Sequence, residues 1–161
     1  MSNISRFLDV MASLRDPESG CPWDKEQTPQ SIVPHTIEEA YEVAEAIERG
    51  DVDEVRDELG DLLFQIVFYA QMYKEAGHFD LEDIVVAGVE KIVRRHPHVF
   101  GNEEIGSVEE QADAWEAHKI TERRQKTQHN DQNYSVLQGV SVALPALTRA
   151  IKLQKRAARV G

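Results

Sequence analysis

The sequence predicts an all-α protein, a helical bundle. In nearly every segment the apolar residues recur three or four positions apart, which is the spacing of one helix face. No segment alternates apolar and polar residues with the period of a strand. The run Leu62–Ala70 is apolar almost all round, so we expect neighbours on every side of it, in a bundle or in one that a second subunit completes.

The first predicted helix lies at the N-terminus and ends before Pro17. Its apolar stripe consists of Ile4, Phe7, Leu8, Met11 and Leu14. Residues 16–31 contain three prolines and a glycine, a composition that predicts a loop. The second helix ends at Gly50, and two starts are open. Thr28 can cap it and leave Pro34 inside as a kink, or Thr36 can cap it in a capping box with Glu39.

A long helix is predicted from Asp51 to about Ala76, closed by Gly77. Asp80 then caps a helix over residues 81–95, which ends before a proline.

Ser107 and Glu110 form a capping-box pair that predicts a helix to about Gln125. A polar segment follows, and residues 142–161 read as an amphipathic basic helix. The predicted division is a helical domain over residues 1–126 and a polar loop with a basic helix over residues 127–161.

Composition excludes several classes of function. The formal net charge of −11 argues against a general nucleic-acid binder and against a partner on an anionic membrane. Cys21 is the single cysteine, so no internal disulfide is possible and a reducing compartment fits. No signal-peptide core precedes the first helix, and the longest apolar stretch, Leu62–Tyr69, is too short to span a bilayer. We expect a cytoplasmic protein.

Acidic residues crowd the two helices that meet at Gly50–Asp51. Glu38, Glu39 and Glu42 lie within about one turn, and Glu58 and Asp61 lie three apart. If the helices pack antiparallel across the turn, Glu39 and Glu42 approach Glu58 and Asp61. Carboxylates that converge repel one another, and Mg²⁺, which binds oxygen ligands, would remove the repulsion. A solvated acidic face is the alternative, and it is the interpretation we give Glu45 and Glu48.

The acidic signature EExxE…ExxD resembles that of the MazG family of nucleoside triphosphate pyrophosphohydrolases, which are all-α relatives of dimeric dUTPases. The similarity covers nearly the whole chain, and the matching segments are SLRDPESGCPWDKEQT, EEAYE, ELGDLLFQIVFYAQM, RRHPHVF and WEAHKITER.

The resemblance implies Mg²⁺-dependent hydrolysis of a nucleoside triphosphate to the monophosphate and pyrophosphate, by a protein that forms a homodimer. It implies that the metal ligands are Glu39, Glu42, Glu58 and Asp61. Glu38 would bind a second metal or orient the attacking water. For the nucleotide it implies phosphate contacts from Lys91, Arg95 and Lys119, and packing by Trp115. Trp23 would stack on the base or anchor its loop.

Two departures from the family pattern keep an alternative open. Members of this type often carry two tandem domains, so the chain is expected to represent one half of such a protein. Active members tend to carry a basic residue shortly before the ExxD glutamate, where Arg56 is the only nearby cation. The alternative function is a catalytically weak half that serves dimerisation or regulation. A di-iron bundle would need two Glu-x-x-His pairs, and only Glu75–His78 has that spacing.

Overall fold

Helices make up the regular structure of the described chain, which contains no strand. The computed structural model describes residues 2–128 and 135–158. Its elements are α1 (Asn3–Leu14), α2 (Pro22–Glu26), α3 (Pro29–Arg49), α4 (Val52–Glu75), α5 (Leu81–Arg94), α6 (Pro97–Phe100), α7 (Val108–Gln128) and α8 (Ala146–Ala157). The predicted all-α class is confirmed.

The chain divides into two compact units, Met1–Glu90 and Lys91–Gly161. The predicted domain boundary after residue 126 stays a prediction. Most of the polar segment expected there, residues 129–134, lies outside the described residues. Within the described ranges, no helix combines the length and the apolar character that crossing a bilayer would need.

The core of the first unit lies where α1 and α3 pack on α4. Its fully buried residues include Met11, Ile32, Val67 and Phe68, and Phe7 and Leu8 pack against them. Phe7, Leu8 and Met11 of the helical stripe predicted for the N-terminus therefore face this core, while Ile4 is 47% exposed.

Of the two residues predicted to cap α3, Thr28 is the one that does so. The Thr28 hydroxyl accepts a hydrogen bond from the Ser31 amide at 3.2 Å, and the Ser31 hydroxyl accepts one from the Thr28 amide at 2.9 Å. Pro34 lies inside the helix. Thr36, the other candidate cap, is a helical residue whose hydroxyl donates to the Ile32 carbonyl.

The loop predicted over residues 16–31 is partly wrong, because it contains α2 and the first turn of α3. Pro22 and Pro29 each open a helix. Proline is tolerated there since the first amides of a helix have no intrahelical acceptor.

α4 begins as predicted. The Asp51 carboxylate accepts from the Glu54 amide at 3.1 Å, and Gly50 adopts the left-handed conformation, with φ of 73°, that turns the chain. The expectation that the run Leu62–Ala70 has neighbours on every side is only partly met within the described residues. Val67 and Phe68 are buried, but Ile66 is 38% exposed.

In the second unit the capping box at α7 is half confirmed. The Ser107 hydroxyl accepts from the Glu110 amide at 3.1 Å, while the Glu110 carboxylate accepts from Gly106 and not from Ser107. The basic helix begins at Ala146, later than the predicted residue 142, and Pro145 occupies its N-cap position.

Candidate metal centre

Three carboxylates converge where α3 and α4 run side by side after the turn at Gly50–Asp51. Glu39 lies on α3, and Glu58 and Asp61 lie one turn apart on α4. One carboxylate oxygen from each of the three lies within 4.8 Å of the other two. We call these three residues the acidic trio. Of the four acids predicted to meet across the helix hairpin, Glu39, Glu58 and Asp61 form this group and Glu42 does not.

The electrostatics of the acidic trio favour a bound cation. Partial burial raises the pKa of Glu39, and the charges of Asp61 and Glu42 raise it further. Partial burial likewise raises the pKa of Glu58, with the Glu42 and Asp61 charges adding to the effect. Among the described residues, no lysine, arginine or histidine forms an ion pair with the trio.

The donor set suits a hard divalent cation. All three side chains offer carboxylate oxygen, the ligand type that Mg²⁺ and Ca²⁺ prefer, and none offers sulfur or imidazole nitrogen. Asp61 is exposed and the two glutamates are half-buried, so the group is open to a ligand from solvent. A cation bound there would neutralise the mutual repulsion of the carboxylates.

The other two predicted acids lie next to the acidic trio but outside it. Glu42 is exposed, and its charge still contributes to the raised pKa values of Glu39 and Glu58. Glu38 is 64% exposed, and one of its carboxylate oxygens lies 3.7 Å from Nδ1 of His35. Their roles stay predictions.

Trp23 lies on α2 and is 52% exposed. Its ring system and the His35 ring form a T-shaped pair, with 5.9 Å between the ring centroids. The indole therefore borders the start of α3.

The predicted phosphate-binding residues, Lys91, Arg95 and Lys119, belong to the second unit. Two cations lie over the Trp115 ring, with the Arg95 guanidinium 5.0 Å and the Lys119 ammonium 5.4 Å from its centre. Lys119 also donates to Glu116 at 2.8 Å. Lys91 is exposed.

Arg95 is held by Glu122, a residue that the sequence did not single out. Two guanidinium nitrogens of Arg95 donate to the two Glu122 carboxylate oxygens at 3.1 and 2.5 Å, and Arg94 donates to the same carboxylate at 2.7 Å. These bonds lower the pKa of Glu122 from 4.5 to about 2. Any phosphate contact by Arg95 would therefore compete with, or add to, a strong ion pair.

Gln65 is the second residue that sequence reasoning missed. It is 6% exposed, and its Nε2 donates to Glu39 Oε1 at 3.4 Å. The available signal was a single amide within the apolar run Leu62–Ala70, four positions after Asp61 and so on the same face of α4.

Comparison with known proteins gives a consistent picture. A family model described as the MazG nucleotide pyrophosphohydrolase domain matches residues 27–100, a range that includes the whole acidic trio. A crystal structure of a mazG-related protein from Thermotoga maritima matches with a TM-score of 0.58 and 32% identity. The match covers 72% of this chain and 98% of the chain in that crystal structure.

Longer relatives match across the chain. It is similar to the nucleoside triphosphate pyrophosphohydrolase of Escherichia coli K12, with 54% identity over 161 residues, 100% of this chain and 59% of the relative. It is 40% identical to the nucleoside triphosphate pyrophosphohydrolase/pyrophosphatase MazG of Thermotoga maritima, over 98% of this chain and 58% of the relative. The chain thus spans less than two thirds of the length of these curated relatives.

Proposed function

Because the chain belongs to the MazG family, we propose that it is a Mg²⁺-dependent hydrolase that converts nucleoside triphosphates to nucleoside monophosphates and pyrophosphate. The observation that carries the proposal is the acidic trio, whose oxygens lie within 4.8 Å of one another without a cationic partner among the described residues. The pyrophosphohydrolase names of the relatives support the choice of reaction.

Glu39, Glu58 and Asp61 hold the cation, and Glu42 joins them from the next turn of α3. Mg²⁺ in this position would neutralise phosphate charge and lower the pKa of a bound water. Glu38 orients the attacking water or serves a second metal. In the reaction, the water oxygen bonds to the α-phosphorus, the bond from that phosphorus to the bridging oxygen breaks, and pyrophosphate leaves. A carboxylate within hydrogen-bond reach accepts the proton of the water.

Cations and aromatic rings serve the rest of the nucleotide. Lys91, Arg95 and Lys119 contact the phosphates, and Trp115 packs near the nucleotide while it orders two of these cations. Trp23, half exposed beside His35, stacks on the base or anchors α2.

The functional form is a homodimer in the cytoplasm. Apolar side chains remain uncovered along the hairpin of α3 and α4, among them Tyr41 at 57%, Ile47 at 59% and Leu59 at 48% exposure. A second copy that covers them would also enclose Ile66 on α4, as the apolar sequence of that helix predicts.

A panel of nucleoside triphosphates, each with and without Mg²⁺, tests the proposal by assay of released pyrophosphate. We expect release only with Mg²⁺, and a loss of at least about 100-fold in Asp61→Asn. Glu48→Gln is the matched control, because it removes an acid from the solvated face of α3 and should leave the rate unchanged. No release by the wild-type protein, together with a normal dimer mass, would overturn the proposal in favour of a dimerisation role.

A further inference from the structure

Gln65 carries a buried amide that the fold does not satisfy. The side chain is 6% exposed in the middle of α4. Its Nε2 makes one long hydrogen bond, 3.4 Å to Glu39 Oε1, and its Oε1 is buried with no hydrogen-bond partner in the described structure. Buried polar atoms are nearly always paired, because an unpaired one loses its hydration without compensation.

Packing gives no reason for an amide at this position. Its neighbours along the helix, Phe64, Val67 and Phe68, belong to the apolar core or pack against it. Leucine or methionine would fill a similar volume and leave no unpaired oxygen. A polar residue with an unsatisfied atom in such a place points to a ligand that is absent from the protein alone.

The neighbourhood identifies the kind of ligand. Gln65 lies one turn after Asp61 on the same face of α4, and it contacts Glu39 across the hairpin. Its amide thus bonds one member of the acidic trio and lies one helical turn from a second. The amide nitrogen meets the carboxylate, which leaves the carbonyl oxygen as a free acceptor.

We propose that Gln65 is a positioning residue of the metal centre, whose amide nitrogen fixes the Glu39 carboxylate and whose carbonyl oxygen accepts a hydrogen bond from the hydrated cation. The inference rests on the proposed function, since it requires the acidic trio to bind a divalent ion. Mg²⁺ retains several waters when it is bound by few carboxylates, so donors for the Gln65 oxygen are available in the loaded site. Neighbours that orient a metal ligand typically contribute to affinity as well as to geometry.

Binding of Mg²⁺ to the full chain, measured by calorimetry, tests this role without any assay of turnover. Gln65→Met, which keeps the length of the side chain and removes both polar groups, should weaken Mg²⁺ affinity about 10- to 100-fold. The melting temperature of the metal-free protein should stay the same or rise, because an unpaired oxygen has been removed from the core.

Two further variants keep the test decisive. Tyr69→Phe removes a half-buried hydroxyl that bonds Thr36 at 2.9 Å one turn further along α4, and it should leave Mg²⁺ affinity unchanged. Gln65→Asn keeps an amide but is one methylene shorter, so it should lose Mg²⁺ affinity as Gln65→Met does. It tests the inference independently if Gln65→Met folds poorly.

The outcomes separate the inference from the proposed function. If the wild-type protein binds no Mg²⁺, the proposed function fails first. If the wild type binds Mg²⁺ and both Gln65 variants bind it within about twofold of wild type, the inference is overturned. A lower melting temperature of these variants would then identify Gln65 as a structural residue.

Discussion

The two ends of α4 carry acidic side chains in opposite electrostatic environments. Near its start, Glu58 and Asp61 meet Glu39 without a cationic partner in the described residues, and the pKa values of both glutamates are raised, first by partial burial. At its end, Glu75 accepts hydrogen bonds from Arg15 and Gln71, and its pKa is lowered despite partial burial. The comparison distinguishes an acid whose charge is compensated by a cation from a group of acids whose charges repel one another.

Arg15 explains why the Glu75 end is compensated. The guanidinium contacts Glu75 at 2.7 Å and donates to the carbonyls of Asp24 and Gln27 at 2.6 and 3.3 Å. It also lies 5.4 Å from the ring centre of Phe68 in the core. The Arg15 side chain therefore joins α1, α2 and α4, and it is only 10% exposed.

Removal of Arg15 breaks the compensated end and should give the largest effect. Arg15→Met leaves the Glu75 carboxylate and two carbonyls without their donor, so we expect the free energy of unfolding to fall by about 3 kcal/mol. Urea denaturation of the metal-free protein measures the change. Arg15→Lys keeps the charge but cannot make the forked contacts, and should lose about half as much. A loss below about 1 kcal/mol in Arg15→Met would show that this network does not stabilise the first unit.

The second unit offers an independent case of compensated charge. Glu122 is 20% exposed and binds Arg94 and Arg95, which lower its pKa from 4.5 to about 2. An acid whose pKa is lowered by folding stabilises the folded state at every pH above its ordinary pKa. For Glu122 this stabilisation disappears as the pH falls from 4.5 towards 2.

Glu122→Gln should therefore lower the free energy of unfolding by about 1–2 kcal/mol at pH 7, less than the full shift implies because solvent screens the pair. The difference between Glu122→Gln and wild type should shrink steadily below pH 4.5. A difference that is independent of pH down to the lowest accessible value would refute the ion-pair explanation. Glu109→Gln, at the other end of α7, provides a control without this pair.

Local patterns predicted the framework but not these contacts. The stripe containing Phe7 and Met11 follows from residue spacing within one helix. The hairpin that brings the acidic trio together follows from spacing along two adjacent helices. Both spacings can be read directly from the sequence. The start of α3 was ambiguous because two threonines could serve as cap, and choosing between them required the bonds made by Ser31. Arg15 and Glu75 are 60 positions apart, so no periodicity connects them. The sequence shows Gln65 only as an amide in an apolar run. That its side chain is buried with an unpaired oxygen required the structure.

Exchange of Glu39, which lies on α3 beside Glu58 and Asp61, and of Glu75, at the end of α4, for glutamine sharpens the comparison, and the expected effects are small and opposite in sign. Glu39→Gln keeps an acceptor for Gln65 and removes one of the repelling charges. We expect it to stabilise the metal-free protein by about 0.5 kcal/mol. Glu75→Gln weakens the contact with Arg15 and should destabilise it by about 1 kcal/mol. The two variants change the net charge equally, so a shared sign would mean that total charge, and not local pairing, sets the response.

The dependence on pH decides whether the charge of Glu39 causes the effect of its exchange. Because burial and neighbouring charges raise the pKa of Glu39 above 4.5, the folded state binds its proton more readily than the unfolded state does. Its ionisation therefore costs stability as pH rises through the raised value, and the cost is absent below 4.5. The advantage of Glu39→Gln should accordingly appear only on the alkaline side of that transition. Saturating Mg²⁺ should reverse its sign, because the cation stabilises the wild-type carboxylate more than the amide. An advantage that is equal at all pH values, or that persists in Mg²⁺, would show that Glu39 is not part of a cation site.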